Sequence, residues 1–330
     1  MKMNTSWLGL DLRSPIVPSA SPLSESLDAI RTMEDHGAGA VVLHSLFEEQ
    51  IEAESRQLHH YLELGTESFA ESLDYLPATH DFRSTAETYL EHVSAAARSV
   101  DMPVIASLNG ATPGGWTDHA RLLQQAGASA IELNLYHLPT DMDTPSNVVE
   151  ERYLAVVRLV RSAVSIPVAV KISPYLTSTA HFAQELCKAG ASGIVLFNRF
   201  YQPDIDIDSL ETRTTLTLSS SWESRLPLRW IALLYGRIPA DLAITTGIHT
   251  HQDVLKGLMA GASITMMASE LLAQGLIRIE EVLTAMRIWM TENEYESVEQ
   301  MQGSMSQLKV ADTERWERAN YMKVLGSWPR

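Results

Sequence analysis

The stretch "AGASGIVL", residues 189–196, decides the fold, because close copies of it recur three more times along the chain. The copies are "HGAGAVVL" (36–43), "AGASAIEL" (126–133) and "AGASITMM" (260–267). Each copy follows an amphipathic helical stretch. Its first glycine is typical of a helix end, and the apolar run after it is typical of a strand buried on both faces. The copies therefore predict a repeating unit of helix and strand.

A second motif, in which proline precedes a buried strand, alternates with the first. It appears as "SPIVPSAS" (14–21), "MPVIASLN" (102–109), "IPVAVKIS" (166–173) and, more loosely, "IPADLAIT" (238–245). The two motifs predict eight strands with helical segments between most of them, which is the pattern of an α/β protein of the (β/α)8 TIM barrel type. A doubly wound open sheet is the alternative, although such a sheet rarely carries eight near-equal units.

The chain has 330 residues, of which 45% are hydrophobic, and we predict one domain over residues 1–330. The stretch "WLGLDLRS" (7–14) predicts an N-terminal hairpin that closes the barrel bottom, and the sequence after residue 280 predicts a C-terminal helical cap. Long inserts are predicted after the second strand (46–83) and after the sixth strand (199–237). Such inserts in barrels are usually functional lids or extra hairpins.

Composition excludes several classes of partner. A net charge of −16 disfavours nucleic acid and anionic membranes. No segment approaches the roughly 18 apolar residues of a membrane span, and the N-terminus lacks the apolar run of a signal peptide, so a cytoplasmic location is expected. The single cysteine, Cys187, is predicted to be a buried structural thiol. No metal site is predicted, because the adjacent His59 and His60 have no carboxylate at ligand spacing.

Polar residues at the carboxyl ends of the strands are the candidate site, because active sites of TIM barrels lie there. Three amides, Asn109, Asn134 and Asn198, follow the third, fourth and sixth strands and suit a planar heterocycle with several polar edge groups. Lys171 lies within the apolar stretch "PVAVKIS", where an ammonium is costly unless it faces a polar cavity or an anion. A lysine that extends to the rim is the alternative.

The last two strands predict a phosphate site. Gly247 ends the seventh strand in "ITTGI", and the small residues Ala268 and Ser269 follow the eighth strand in "MMASELLAQG". Helices are predicted after both, and loops at these two places commonly hold phosphate in such barrels. Ordinary tight turns between strand and helix are the alternative.

The order of these strand ends resembles the dihydroorotate dehydrogenase family, an FMN-dependent (β/α)8 barrel, and its soluble class in particular. The resemblance covers nearly the whole chain and rests on "SPIVPSAS", "AVVLHS", "ASLNG", "IELNLYHLP", "VAVKISPY", "IVLFNRF", "ITTGI" and "ITMMASELLAQG", in this order. The stretch "EYESVEQMQGSMS" (294–306) is also similar to the C-terminal helix of that class.

The resemblance implies an FMN site and a substrate site. The residues that it places around the flavin ring are Ser19, Ala20, Ser21, His44, Asn109 and Asn134. It places Lys171 by the N1–O2 edge of the flavin, where its charge would stabilise the reduced, anionic form. It assigns the FMN phosphate to Gly247, Ala268 and Ser269, and the substrate ring to Asn134 and Asn198.

The substrate side departs from the family pattern. In "NLYHLP", His137 stands where the soluble class has its catalytic cysteine, and Pro139 stands where a substrate-binding Asn is expected. We predict that His137 is the catalytic base, because imidazole titrates near neutrality; a loop histidine without a catalytic role is the alternative. The Asn-Ser-Met-Gly segment of the family has no clear counterpart. The region instead carries acidic residues that would repel a carboxylate unless they point away, namely Glu67, Glu71 and Asp74.

These observations predict an FMN-dependent oxidoreductase of pyrimidine biosynthesis that acts on the CH–CH bond of dihydroorotate or a related small dihydropyrimidine. The resemblance also implies a homodimer. The electron acceptor stays open between fumarate, NAD through a redox partner subunit and another compound. One alternative is a flavin-binding subunit or regulator of a redox complex with little turnover of its own. Another is a phosphate-sugar barrel enzyme without flavin, which leaves Lys171 and the three amides without a role.

Overall fold

The computed structural model describes residues 1–51, 84–110, 116–199, 202–213, 215–317, 321 and 326. Strands β1 (Thr5–Trp7) and β2 (Leu10–Leu12) form an antiparallel hairpin before the barrel. The barrel strands are β3 (Ile16–Pro18), β4 (Val41–Phe47), β5 (Val104–Asn109), β6 (Ala130–Asn134), β7 (Val168–Ile172), β8 (Gly193–Leu196), β11 (Asp241–Ile244) and β12 (Ile264–Met267). A second antiparallel pair, β9 (Asp204–Asp206) and β10 (Glu211–Arg213), lies between β8 and β11.

The eight barrel strands form one parallel sheet in the order β3-β12-β11-β8-β7-β6-β5-β4. The two ends of this order meet where the Gly39 N–H donates to the Ile16 carbonyl at 2.8 Å. A side chain at Gly39 would place its Cβ 2.1 Å from the Ser14 carbonyl oxygen, so the close approach requires glycine. The sheet is thus a nearly closed barrel. The predicted (β/α)8 fold is confirmed, and the open sheet is excluded.

Helices alternate with the strands, as the repeat predicts. They are α1 (Leu27–Asp35), α2 (Thr85–Ser99), α3 (Trp116–Gln125), α4 (Ser146–Ala163), α5 (Thr179–Ala189), α6 (Arg225–Leu234), α7 (His251–Ala260) and α8 (Ser269–Gln274). Two more, α9 (Arg278–Glu292) and α10 (Val298–Met301), form the predicted C-terminal cap. Gly190 ends α5 with a φ of 106°, which is the helix-end role that the repeat assigns to its glycine. Among the described helices, none is long and apolar enough to cross a membrane.

The lower half of the barrel is filled by the N-terminal hairpin. Trp7 is fully buried and packs with small interior residues such as Ala130 and Ala169. A Cβ on Gly193 would lie 2.7 Å from Trp7 and 2.5 Å from Leu8, so the packing there is tight. The interior of the lower barrel is therefore packed with apolar side chains, and TIM barrels place their sites at the opposite end, where the strands have their carboxyl ends.

The two predicted inserts have different outcomes. The second contains the β9–β10 hairpin and a 3₁₀ turn, Ser221–Ser224, but its last part is α6, a regular barrel helix. Most of the first insert, residues 52–83, lies outside the described residues, so the predictions for His59, His60, Glu67, Glu71 and Asp74 fall there.

Cys187 has the character of a structural thiol. It is partly buried within α5, and its Sγ donates to the Ala183 carbonyl at 3.1 Å. Burial raises the pKa of Cys187 to about 11, so the thiol stays protonated and unreactive near neutral pH.

Candidate active site

A cavity of about 910 Å³ opens at the carboxyl ends of the barrel strands. Cofactor and ligand sites commonly have volumes of about 300–1,000 Å³. Most of the predicted site residues line this central cavity, namely Ser19, Ala20, Ser21, Asn109, Lys171, Asn198, Gly247, Ala268 and Ser269. Residues that are far apart in the sequence thus meet at one place.

Lys171 lies near the end of β7 and reaches the cavity from inside the barrel. Its side chain is on the same face of the strand as the interior residue Ala169, since alternate residues share a face. Lys171 is only 7% exposed, and its Nζ donates to the Ser19 hydroxyl at 3.3 Å. The ammonium therefore faces a polar cavity, as the sequence predicts.

Glu132 is the counter-ion of Lys171, and sequence reasoning missed it. Its Oε1 lies 3.5 Å from the Lys171 Nζ, and the residue is 1% exposed. Among the described residues, neither carboxylate oxygen has a hydrogen-bond partner. The signal was present, because Glu132 stands two positions before Asn134 in the apolar strand β6, and residues at that spacing share the barrel interior.

Two of the predicted amides are joined in a chain. The Asn198 amide nitrogen donates to the Asn134 Oδ1 at 3.2 Å, and the Asn134 Nδ2 lies 3.5 Å from the Ser45 hydroxyl. Ser45 in turn shares a 2.8 Å hydrogen bond with Ser107. Asn198 lines the cavity, whereas the buried Asn134 is not among the described residues that do so. The chain fixes the orientation of Asn198 toward a ligand.

The loops after β11 and β12 form the end of the cavity that is predicted to hold phosphate. The Ser219 N–H donates to the Ser269 hydroxyl at 3.1 Å, and the Gly247 N–H points at the Ser219 hydroxyl at 3.4 Å. Gly247 has a φ of 77°, and a Cβ there would lie 2.4 Å from the Ser224 nitrogen. Glycine is therefore required at this position. Both of these N–H groups are engaged within the protein, but the Ser269 hydroxyl accepts one of them and keeps its own O–H to donate. Beside the small Ala268, this O–H suits an anion.

Behind the Ser219 hydroxyl lies a hydrogen-bonded chain that the sequence did not predict. The His249 Nε2 is 3.1 Å from the Ser219 Oγ, and its Nδ1 is 2.9 Å from the Glu270 carboxylate. The Arg278 guanidinium binds the same carboxylate at 2.7 Å and the His249 carbonyl at 3.2 Å. Because Arg278 belongs to α9, this chain connects the two loops to the C-terminal cap and stiffens the anion-binding end.

His44 lies apart from the central cavity, although Ala20 and Ser21 line both that cavity and the one that His44 lines. The strand register shifts between Val42 and Ser45, and the His44 ring packs 5.0 Å from Tyr89 and 5.4 Å from His92, both on α2. It lines a second cavity of about 570 Å³ and is not among the described residues of the central cavity. Burial, with a further contribution from His92, lowers the pKa of His44.

His137 lies one residue beyond the cavity wall. Tyr136 lines the central cavity, whereas the half-buried His137 is not among the described residues that do so. The His137 carbonyl accepts a 3.1 Å hydrogen bond from the Tyr153 hydroxyl, which holds the loop against α4. Burial, followed by Arg152, lowers the pKa of the His137 imidazole, so the ring is neutral near neutral pH. A neutral imidazole is the form that a base requires.

The cavity residues fit FMN better than a metal ion. A buried ammonium, Lys171, and hydrogen-bonding amides suit the polar edge of a flavin, while the Ser269 hydroxyl beside Gly247 suits a phosphate. In the part of the chain that the structure describes, no group of three or more His, Cys, Asp or Glu side chains could hold a metal ion.

The fold and the site together define a (β/α)8 barrel with a ligand site at the carboxyl ends of its strands. The sequence profile of the dihydroorotate dehydrogenase family matches residues 2–290, and the chain belongs to this family.

Relatives match over most of their length. A dihydroorotate dehydrogenase B (NAD(+)) catalytic subunit from Thermoplasma acidophilum is 25% identical over 313 residues, which cover 91% of this chain and 98% of the relative. The corresponding catalytic subunit from Methanocella arvoryzae is 27% identical, with 82% and 87% covered. A dihydroorotate dehydrogenase A (fumarate) from Lactobacillus delbrueckii subsp. bulgaricus is 24% identical, with 79% and 85% covered.

The comparisons confirm the predicted family and the predicted class of enzyme, an oxidoreductase that acts on a CH–CH bond. The names of these relatives give a small molecule, dihydroorotate, as what they act on. A flavin-binding subunit or regulator with little turnover is not favoured, because the matched relatives are named as dehydrogenases or as catalytic subunits.

Proposed function

We propose that this chain oxidises dihydroorotate, or a dihydropyrimidine closely related to it, with FMN as its cofactor, in pyrimidine biosynthesis. The observation that carries the proposal is Lys171, an ammonium 7% exposed in the wall of the central cavity, which also holds Asn198 and the Gly247 loop. When bound, FMN supplies the acceptor for the hydride that leaves the substrate ring.

The protein's own residues bind and orient the cofactor. Lys171 and Ser19, whose Nζ and Oγ are 3.3 Å apart, would hold the polar edge of the flavin ring, where an ammonium would stabilise negative charge. At the other end, the Ser269 hydroxyl would donate to the phosphate, in the space beside Gly247 and Ala268. The closed apolar floor below them keeps water out of the barrel interior.

On the substrate side, Asn198 is held by Asn134 at 3.2 Å and presents its amide to the ring. His137 takes the proton that the ring loses, which requires its loop to bring the neutral imidazole to the cavity. Arg199 also lines the cavity and offers a guanidinium to a substrate carboxylate. Glu223 lies 3.2 Å from its Nε and shares that charge.

The electron acceptor is either a redox partner subunit or fumarate. Two relatives are named as catalytic subunits of an NAD(+)-dependent enzyme, and a third is named for fumarate. We also propose a homodimer in the cytoplasm, which follows from the resemblance to the soluble class.

The absorption spectrum of the purified protein tests the cofactor, and turnover with each acceptor tests the rest. A yellow protein that releases one FMN per chain on denaturation is the expected result. A colourless protein that takes up no added FMN contradicts the proposal. Size-exclusion chromatography with light scattering tests the dimer.

A further inference from the structure

The Glu132 carboxylate is placed in an unusual environment for a charged group. It is 1% exposed, and neither oxygen accepts a hydrogen bond from a described residue. Below it lies the apolar barrel floor, with Trp7 packed against Ala130 and Ala169. The group that compensates its charge is the Lys171 ammonium, whose Nζ lies 3.5 Å from the Glu132 Oε1.

Burying this pair gives the fold little net stability. Desolvation of two buried charges costs about as much as their attraction returns, and apolar pairs of similar volume are often equally stable. Tyr89, whose pKa is raised by burial and further by Glu132, stays neutral and does not compensate the carboxylate. The carboxylate therefore acts mainly on Lys171, which lies between it and the central cavity.

We propose that Glu132 is a positioning residue that draws the Lys171 ammonium toward the barrel interior, so that it lies farther from the cavity than an unpaired ammonium would. This inference rests on the proposed function, in which Lys171 faces the N1–O2 edge of FMN. An ammonium that is paired with a carboxylate stabilises the reduced, anionic flavin less than an unpaired ammonium does. Glu132 thus lowers the midpoint potential of the bound flavin.

The midpoint potential of the bound flavin in the Glu132→Gln holoprotein tests this inference directly. It is measured by anaerobic reduction in equilibrium with reference dyes. The expected result is a rise that corresponds to at least a tenfold change in the reduction equilibrium, or about 30 mV for a two-electron couple. The matched control is Glu185→Gln, the same change in an exposed pair with Lys188 at 2.7 Å, which should leave the potential unchanged.

A double-mutant cycle separates an action through Lys171 from a direct action on the flavin. In the Lys171→Met background, Glu132→Gln should raise the potential much less than it does in the wild type. An equal rise in both backgrounds overturns the positioning role.

The remaining outcomes are also decisive. An unchanged potential in a flavin-loaded Glu132→Gln protein overturns the inference and leaves the proposed function standing. A wild-type protein that binds no FMN overturns both. If Glu132→Gln does not fold, Glu132→Asp carries the test, because its shorter side chain moves the carboxylate away from Nζ. Its potential should lie above that of the wild type, and a potential equal to the wild type overturns the inference.

Discussion

Replacing Lys171 by methionine leaves a buried carboxylate without its cation. The Glu132 side chain is 1% exposed and 3.5 Å from the Lys171 Nζ, and its oxygens accept no hydrogen bond from any described residue. Methionine has a similar length but no charge, so the change removes the ammonium with little change in packing.

The size of the effect follows from the distance and the burial. At 3.5 Å and an effective dielectric constant of about 20, the attraction of two unit charges is about 5 kcal/mol. Breaking a buried pair by removing one partner destabilises proteins by about 3–5 kcal/mol. We therefore expect Lys171→Met to lower the free energy of unfolding by about 3–5 kcal/mol. The double variant with Glu132→Gln should regain most of this loss, because no charge is then left unpaired.

Urea unfolding of the flavin-free protein measures this loss as a lower midpoint at an unchanged m-value. The matched control is Lys188→Met, the same substitution in the exposed pair with Glu185, which should not change the midpoint measurably. A Lys171→Met protein as stable as the wild type would refute the reasoning, as would a double variant no more stable than the single one.

Three further predictions concern the site. As the pH falls, kcat/KM should drop with a midpoint below 6.5, the ordinary pKa of histidine, because burial lowers the pKa of His137 and only the neutral ring is a base. If the same drop persists in His137→Asn, this residue is not the base. Asn198→Ala should raise KM about tenfold or more while FMN still binds, since one or two hydrogen bonds to the ring are lost; an unchanged KM argues against this contact. Gly247→Ala should weaken FMN binding, measured by fluorescence titration, far more than the control Gly275→Ala. Both glycines have a positive φ, but only at Gly247 would the added Cβ clash with the backbone, 2.4 Å from the Ser224 nitrogen. Equal affinities would exclude the Gly247 loop from the phosphate site.

The fold could be predicted almost completely, because it is set by a repeated local signal. Each copy of the repeat joins a helix-ending glycine, such as Gly190, to a strand buried on both faces, such as β8. The four copies and the four proline motifs together give eight strands, and eight alternating strands and helices have one common closed arrangement. The insert that contains the β9–β10 hairpin could be predicted, but the strands themselves could not, because they are exposed and carry no hydrophobic pattern.

The site could be predicted where polar residues end strands and not where contacts depend on three-dimensional neighbours. Lys171 could be predicted as a site residue because it is a charged residue in an apolar strand. Glu132 is also a charged residue in an apolar strand, but the prediction does not include it. The direction of the His44 side chain depends on a register shift in β4, between Val42 and Ser45, that the sequence pattern does not predict. The contact of His249 with Ser219 joins residues 30 positions apart and could not be anticipated.

Anaerobic addition of dihydroorotate to the purified, FMN-loaded protein tests the central claim most directly. The account predicts that the visible absorbance of the oxidised flavin bleaches and that about one orotate forms per flavin within a single turnover. An FMN-loaded protein whose flavin stays oxidised with excess dihydroorotate, yet is reduced by dithionite, would contradict the claim.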